Sequence, residues 1–149
     1  MTLPPEPMDF TRRLALAGLI GAALPGAARA QAGGIGVRQT SPEGIARTLL
    51  QSVTLADGRD FRLILDEFPG GVVVPIHHHP VPGLNYVLSG EAESQYAGEP
   101  PRRLRAGDSF VDRAETPHRI FRNLSRTTSV FVLLSFVAEP GQAFFMPGG

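Results

Sequence analysis

The chain has 149 residues, 42% of them hydrophobic, with fourteen basic and fourteen acidic side chains and a formal charge of zero. That length suits one domain with a real core, and the balanced charge gives no reason to expect nucleic acid or an anionic membrane surface as partner. Every basic residue is arginine and cysteine is absent. This excludes a lysine Schiff base, a P-loop, disulfides, a thiolate nucleophile and a cysteine-ligated zinc.

Thr11-Arg12-Arg13 precedes an apolar stretch from Leu14 to Leu24, Pro25-Gly26 breaks that stretch, and Ala28-Arg29-Ala30 follows. This is the basic, apolar and A-x-A layout of an export signal over residues 1–30. The paired arginines after a threonine resemble the twin-arginine type, with an ordinary secretory signal as the alternative. The apolar stretch is too short to cross a bilayer as a helix. The mature chain, residues 31–149, is therefore expected to begin near Gln31, to keep no stable membrane span and to be periplasmic or secreted.

From Gly33 onward no long 3.6-residue apolar period appears. Short apolar or alternating runs are separated by Gly, Pro and Asp instead. The runs are Thr48 to Leu55, Phe61 to Phe68, Val72 to His79, Leu84 to Leu88, Glu91 to Tyr96, Ser109 to Asp112, His118 to Arg122 and Ser129 to Val137. Such runs predict an all-β sandwich or barrel with its core over about residues 48–137. Gly44 to Leu50 is the one stretch that could form a short helix. The Arg102-Arg103-Leu104-Arg105 cluster is expected on a solvated hairpin, and the ends, Gln31 to Gly36 and Met146 to Gly149, are expected to be loose.

Residues 77 to 79 are all histidine, and the fourth histidine of the chain is His118. Two histidines spaced H-x-H along a strand point to one side of the sheet, because side chains alternate with period two. Neutral imidazole is the commonest protein ligand for divalent transition metals. The pattern thus points to a metal site, set against the plainer alternative of a polar turn with solvated histidines.

The surrounding residues favour the metal. Gly71-Val-Val-Val-Pro-Ile-His77-His78-His79, followed by Tyr86-Val-Leu-Ser-Gly90-Glu91, resembles the first motif of the cupins, G-x5-H-x-H-x3/4-E-x6-G. Gly107-Asp-Ser-Phe-Val-Asp-Arg-Ala-Glu-Thr-Pro-His118-Arg-Ile-Phe-Arg-Asn123 resembles their second, G-x5-P-x-G-x2-H-x3-N. The resemblance spans roughly Leu49 to Val137. It implies a cupin double-stranded β-helix, a jelly-roll barrel, with His77, His79 and His118 as metal ligands inside it. His78 then faces outward. The implied cofactor is one divalent transition metal, with Fe, Mn, Zn, Ni and Cu all compatible with imidazole.

The chain also departs from the pattern. Counting back from Gly90 places Gly83 where the motif has its glutamate ligand, and the flanking Pro82 and Leu84 cannot bind metal. Arg113 replaces the proline of the second motif, Glu115 replaces its glycine, and Asn123 comes one residue late. A three-histidine site without the carboxylate keeps a charge near plus two, a stronger Lewis acid with about three open positions on an octahedral ion. Asn85 is expected to share the inward face, either to hydrogen-bond a metal-bound water or ligand or to pack against the next strand through a backbone bond. Gln95 or Glu93 could be an acid–base partner if their face is the interior, and otherwise belongs to a solvated face. An inward Arg119 or Arg122 could pair with a substrate carboxylate. Val72, Val74, Val87, Phe110, Phe131 and Leu133 are expected to shape the pocket wall or to be plain core.

Two functions follow. One is an enzyme acting on a small molecule, a metal-dependent dioxygenase, isomerase or lyase. The other is a non-catalytic ligand-binding, metal-binding or sensor protein, and a third possibility is a degenerate cupin whose metal site is occupied weakly or not at all. A homodimer through sheet edges is the expected assembly. The absence of a G-x-S-x-G elbow leaves a serine hydrolase unsupported.

Overall fold

A computed structural model describes residues 35–148. The expected export signal over residues 1–30, with Arg12 and Arg13, lies outside the described residues. The strands in chain order are β1 (Arg38–Thr40), β2 (Ala46–Thr54), β3 (Asp60–Phe68), β4 (Val73–Val74), β5 (His77–His78), β6 (Gly83–Ser89), β7 (Glu91–Tyr96), β8 (Arg102–Arg105), β9 (Ser109–Asp112), β10 (His118–Asn123), β11 (Val130–Ala138) and β12 (Met146–Pro147). They form two antiparallel sheets, ordered β1-β2-β3-β11-β6-β9 and β12-β5-β10-β7-β8, with β4 also paired to β10. This is the expected all-β jelly roll. Gly44 to Leu50 holds no helix; β2 begins inside it.

Alternation along the strands builds the interior. In β11 the buried residues are Val130, Val132, Leu134, Phe136 and Ala138, with the intervening ones less buried. The expected wall residues Phe131 and Leu133 are thus one position out of phase, and Val132 and Leu134 line the cavity in their place. The run from Ser129 to Val137 is apolar on both faces, so period two could not choose between them. Val74 and Phe110 line the cavity as expected, while Val72 and Val87 are buried in the adjoining core.

The run from Val72 to His79 is broken in the middle. Val74 pairs with Phe121 and His77 pairs with His118, so β4 and β5 keep one register against β10. Pro75 between them has no N–H for the ladder.

The worn second motif is accommodated locally. Glu115 adopts φ 56°, the left-handed conformation that the motif's glycine takes freely; on a side chain with a Cβ this costs about 1–2 kcal/mol. Arg113 forms an ion pair with Glu99 and sits over the Tyr96 ring. The one-residue lateness of Asn123 is absorbed by a register shift between His118 and Ile120 on β10, a bulge that leaves one residue unpaired. Asn123 is then buried. Its Nδ2 donates to the carbonyls of Phe68, Pro69 and Thr128, and its Oδ1 accepts from the Ser125 N–H.

Arg102–Arg105 pairs with β7 as a hairpin arm whose arginines are exposed, as expected, while Leu104 is fully buried. The C-terminal end is not loose: Met146 and Pro147 pair with His78 and His77.

Candidate metal centre

His77, His79 and His118 are all buried, and one ring nitrogen of each lies within 4.8 Å of the others'. The pairing of β5 with β10 sets His118 directly across from His77. His79 directly follows β5 and is held by a bridge to Ala114 and by the Glu115 N–H, which donates to its carbonyl at 2.8 Å. His78 alternates away, as expected, and contacts the Gly148 carbonyl at the rim.

The outer nitrogen of each ring is engaged. His77 Nδ1 lies 2.8 Å from the Pro75 carbonyl, His79 Nδ1 lies 2.9 Å from the Phe144 carbonyl, and His118 Nε2 lies 2.8 Å from Ser94 Oγ. A carbonyl can only accept, so His77 and His79 are Nδ1–H tautomers and present Nε2 lone pairs inward. Ligand histidines in metal sites are held in this way. The Nε2 of His79 is buried and has no partner. An orphaned buried acceptor is costly, and a divalent cation between the three rings would satisfy it. The donor set therefore fits a metal.

The rings are also clamped by aromatic contacts. His118 stacks on Tyr96 at 4.1 Å and His77 on Phe145 at 4.5 Å, while His79 lies against Phe144 at 4.3 Å. Burial lowers the pKa of His77 to about 4 and that of His118 to about 3, so both are neutral ligands near pH 7. The unfolded chain binds protons on these side chains below its ordinary histidine value of about 6.5. The metal-free protein should thus lose stability as pH falls from 6.5 toward 4, because unfolding then takes up protons. Chemical denaturation of metal-free protein across that range, with His77→Gln as comparison, measures this; a flat profile would contradict neutral buried imidazoles.

Asn85 is buried in the cavity wall with Nδ2 unpartnered, which suits the first of its expected roles, a ligand contact. Gln95 does not reach the site. On β7 the inward residues are Ala92, Ser94 and Tyr96, and Gln95 instead donates to the Glu99 carbonyl. Glu93 faces outward too and pairs with Arg122, and Arg119 is exposed. The inward arginine is Arg47 on β2, whose Nε and Nη2 donate to the two oxygens of buried Asp66 at 2.7 and 2.8 Å. Sequence reasoning passed over Arg47 and Asp66 because they lie outside both motifs and meet only through the pairing of β2 with β3. Together these groups line a cavity of about 390 Å³ that contains the histidines.

Gly83 is buried, and a Cβ there would come within 2.6 Å of the Phe144 ring and 2.8 Å of Leu134 Cδ1. The side chain that the first motif places at this position has been replaced by the Phe144 ring from the C-terminal segment.

The comparisons with known proteins agree with the fold. The family model of the cupin domain matches residues 65–136. Over 81 residues the chain is 42% identical to dimethylsulfoniopropionate lyase DddQ of Ruegeria pomeroyi, covering 54% of this chain and 40% of that one. The chain thus spans about two-fifths of that relative's length. Among solved structures, KdgF from Halomonas sp. is 29% identical at TM-score 0.53, covering 66% of this chain and 86% of its own. An RmlC-like cupin from Shewanella frigidimarina aligns at TM-score 0.57 with 20% identity, over 70% of this chain and 86% of that one. The family match makes residues 65–136 a cupin domain, and the described residues share the fold of these structures around one interior cavity.

Proposed function

We propose that this chain is a metal-dependent lyase acting on a small carboxylate of the dimethylsulfoniopropionate type. The reading is carried by the 42% identity over 81 residues to a dimethylsulfoniopropionate lyase. The cavity suits such a substrate. Its volume of about 390 Å³ is that of a small-molecule site. The Arg47 guanidinium keeps Nη1 clear of Asp66 and can bind a carboxylate. The rings of Phe68, Phe110 and Phe121 in the wall offer faces that attract an onium cation. When bound, a divalent metal supplies Lewis-acid polarisation of a coordinated carboxylate. The three histidines hold it, Asn85 Nδ2 is free to donate to the bound acid, and the apolar walls exclude water.

Elimination from such a substrate breaks the C–S bond and the C–H bond next to the carboxylate, forms the carbon–carbon double bond between them, releases the neutral thioether and an unsaturated acid, and passes the proton to a carboxylate of the cavity lining such as Asp66. Headspace chromatography of dimethyl sulfide over metal-loaded protein tests this. Release is expected with the wild type, to be lost in His77→Ala, and to need at least a tenfold higher substrate concentration in Arg47→Gln. Metal-loaded protein that binds the acid without releasing the thioether would overturn the lyase reading in favour of a non-catalytic binder. Oxygen uptake would turn it toward a dioxygenase.

A further inference from the structure

The first motif lost its carboxylate at Gly83, yet a carboxylate stands beside the histidines. Gly83 on β6 pairs directly with Asp112 on β9, and directly opposed residues of an antiparallel pair project to the same face. Asp112 is buried at 5% exposure and lines the same cavity. Its Oδ1 lies 3.6 Å from His79 Nε2 and 4.0 Å from His118 Nδ1. The first of these nitrogens has no hydrogen-bond partner. We propose that Asp112 is the fourth protein ligand of the metal, supplied one strand across from the position that the first motif uses. This rests on the metal reading of the three histidines.

The distances suit the role. Metal bonds of about 2.0–2.2 Å place tetrahedral neighbours roughly 3.4 Å apart, so Oδ1 stands close to that spacing from His79 and somewhat beyond it from His118, and the side chain must move inward to reach the ion. The carboxylate is already oriented. Tyr96 donates its hydroxyl to Oδ1 at 2.6 Å, and the same ring stacks on His118. One side chain therefore positions two of the four ligands, as outer partners do in built metal sites. The displacement also makes structural sense. Phe144 fills the space above Gly83, while Asp112 enters from the neighbouring strand, on the side of His79 and His118. The consequence is electrostatic: the site carries a charge near plus one rather than plus two, and gains an oxygen donor that suits iron or manganese better than three imidazoles alone.

The experiment is a chelator-competition titration of metal-free full-length protein with Co²⁺, read by its visible absorption. Asp112→Asn keeps the acceptor for Tyr96 and nearly the same shape. It is expected to weaken Co²⁺ binding at least tenfold and to change the absorption band, whereas His118→Ala abolishes binding. Unchanged affinity and spectrum in Asp112→Asn, with His118→Ala still inactive in binding, would overturn the fourth ligand and leave the three-histidine site standing. If neither variant alters binding, the metal reading itself fails and this proposal with it. A second reading needs no variant: in wild-type protein labelled with ¹³C-aspartate, Co²⁺ should shift one aspartate carboxylate band in the infrared difference spectrum. An unshifted spectrum would count against Asp112.

Discussion

Replacing His118 with alanine is expected to weaken binding of a divalent transition metal by at least about a hundredfold. Removing even an outer partner of a ligand typically costs ten- to a hundredfold, and this change removes the ligand. His118 lies on β10, the middle strand of its sheet. It faces His77 across one strand pair and Tyr96 across the other, and its neutral form is enforced by burial. The same substitution also empties space beside Tyr96 and Phe121, so a loss of stability of about 2 kcal/mol or more accompanies it. Competition titration with Zn²⁺, alongside thermal melting, separates the two effects. His78→Ala is the control. Its ring lies at the rim against the Gly148 carbonyl, and its affinity should match the wild type. Equal loss in both variants would mean that binding does not depend on the buried set.

Gly83→Ala is expected to destabilise the fold by about 1–3 kcal/mol, the usual cost of overpacking. The new methyl would meet the Phe144 ring at 2.6 Å and Leu134 at 2.8 Å. Neither can yield easily: Leu134 is almost wholly buried, and Phe144 is stacked between Phe136 and His79. Gly83→Glu, which restores the sequence of the first motif, should therefore be worse rather than better. Phe144→Ala opens a cavity and is destabilising alone, but the double change Gly83→Ala/Phe144→Ala should cost clearly less than the sum of the two. Denaturant unfolding of the four proteins measures that coupling. Strict additivity would show that the ring and the glycine do not compete for one space.

The pattern of what the sequence revealed follows from range. Strands came from local punctuation, and β7 and β9 match their expected bounds residue for residue. The three histidines came from the resemblance to the two cupin motifs, since the H-x-H spacing alone could not tell a metal site from a solvated turn. What depended on register across strands was hidden. Asp112 is an unremarked position inside the second motif, and only its pairing with Gly83 brings it to the site. Arg47 needed the β2–β3 pairing in the same way. On β7 alternation sets Ala92, Ser94 and Tyr96 against Glu91, Glu93 and Gln95, and the less polar set faces inward, a local signal that argued against Gln95. The role of the C-terminal segment was invisible for another reason. Phe144 and Phe145 carry no motif, and their value lies in covering His79 and His77. The lateness of Asn123 was visible, but its resolution by a bulge at His118–Ile120 required the ladder.

The most direct test is a crystal structure of the protein loaded with one equivalent of Zn²⁺, with the ion located by anomalous scattering. The account predicts one strong peak between the rings, about 2.0–2.2 Å from the inward nitrogens of His77, His79 and His118. No peak among these three histidines, or a peak only at surface carboxylates, would contradict it.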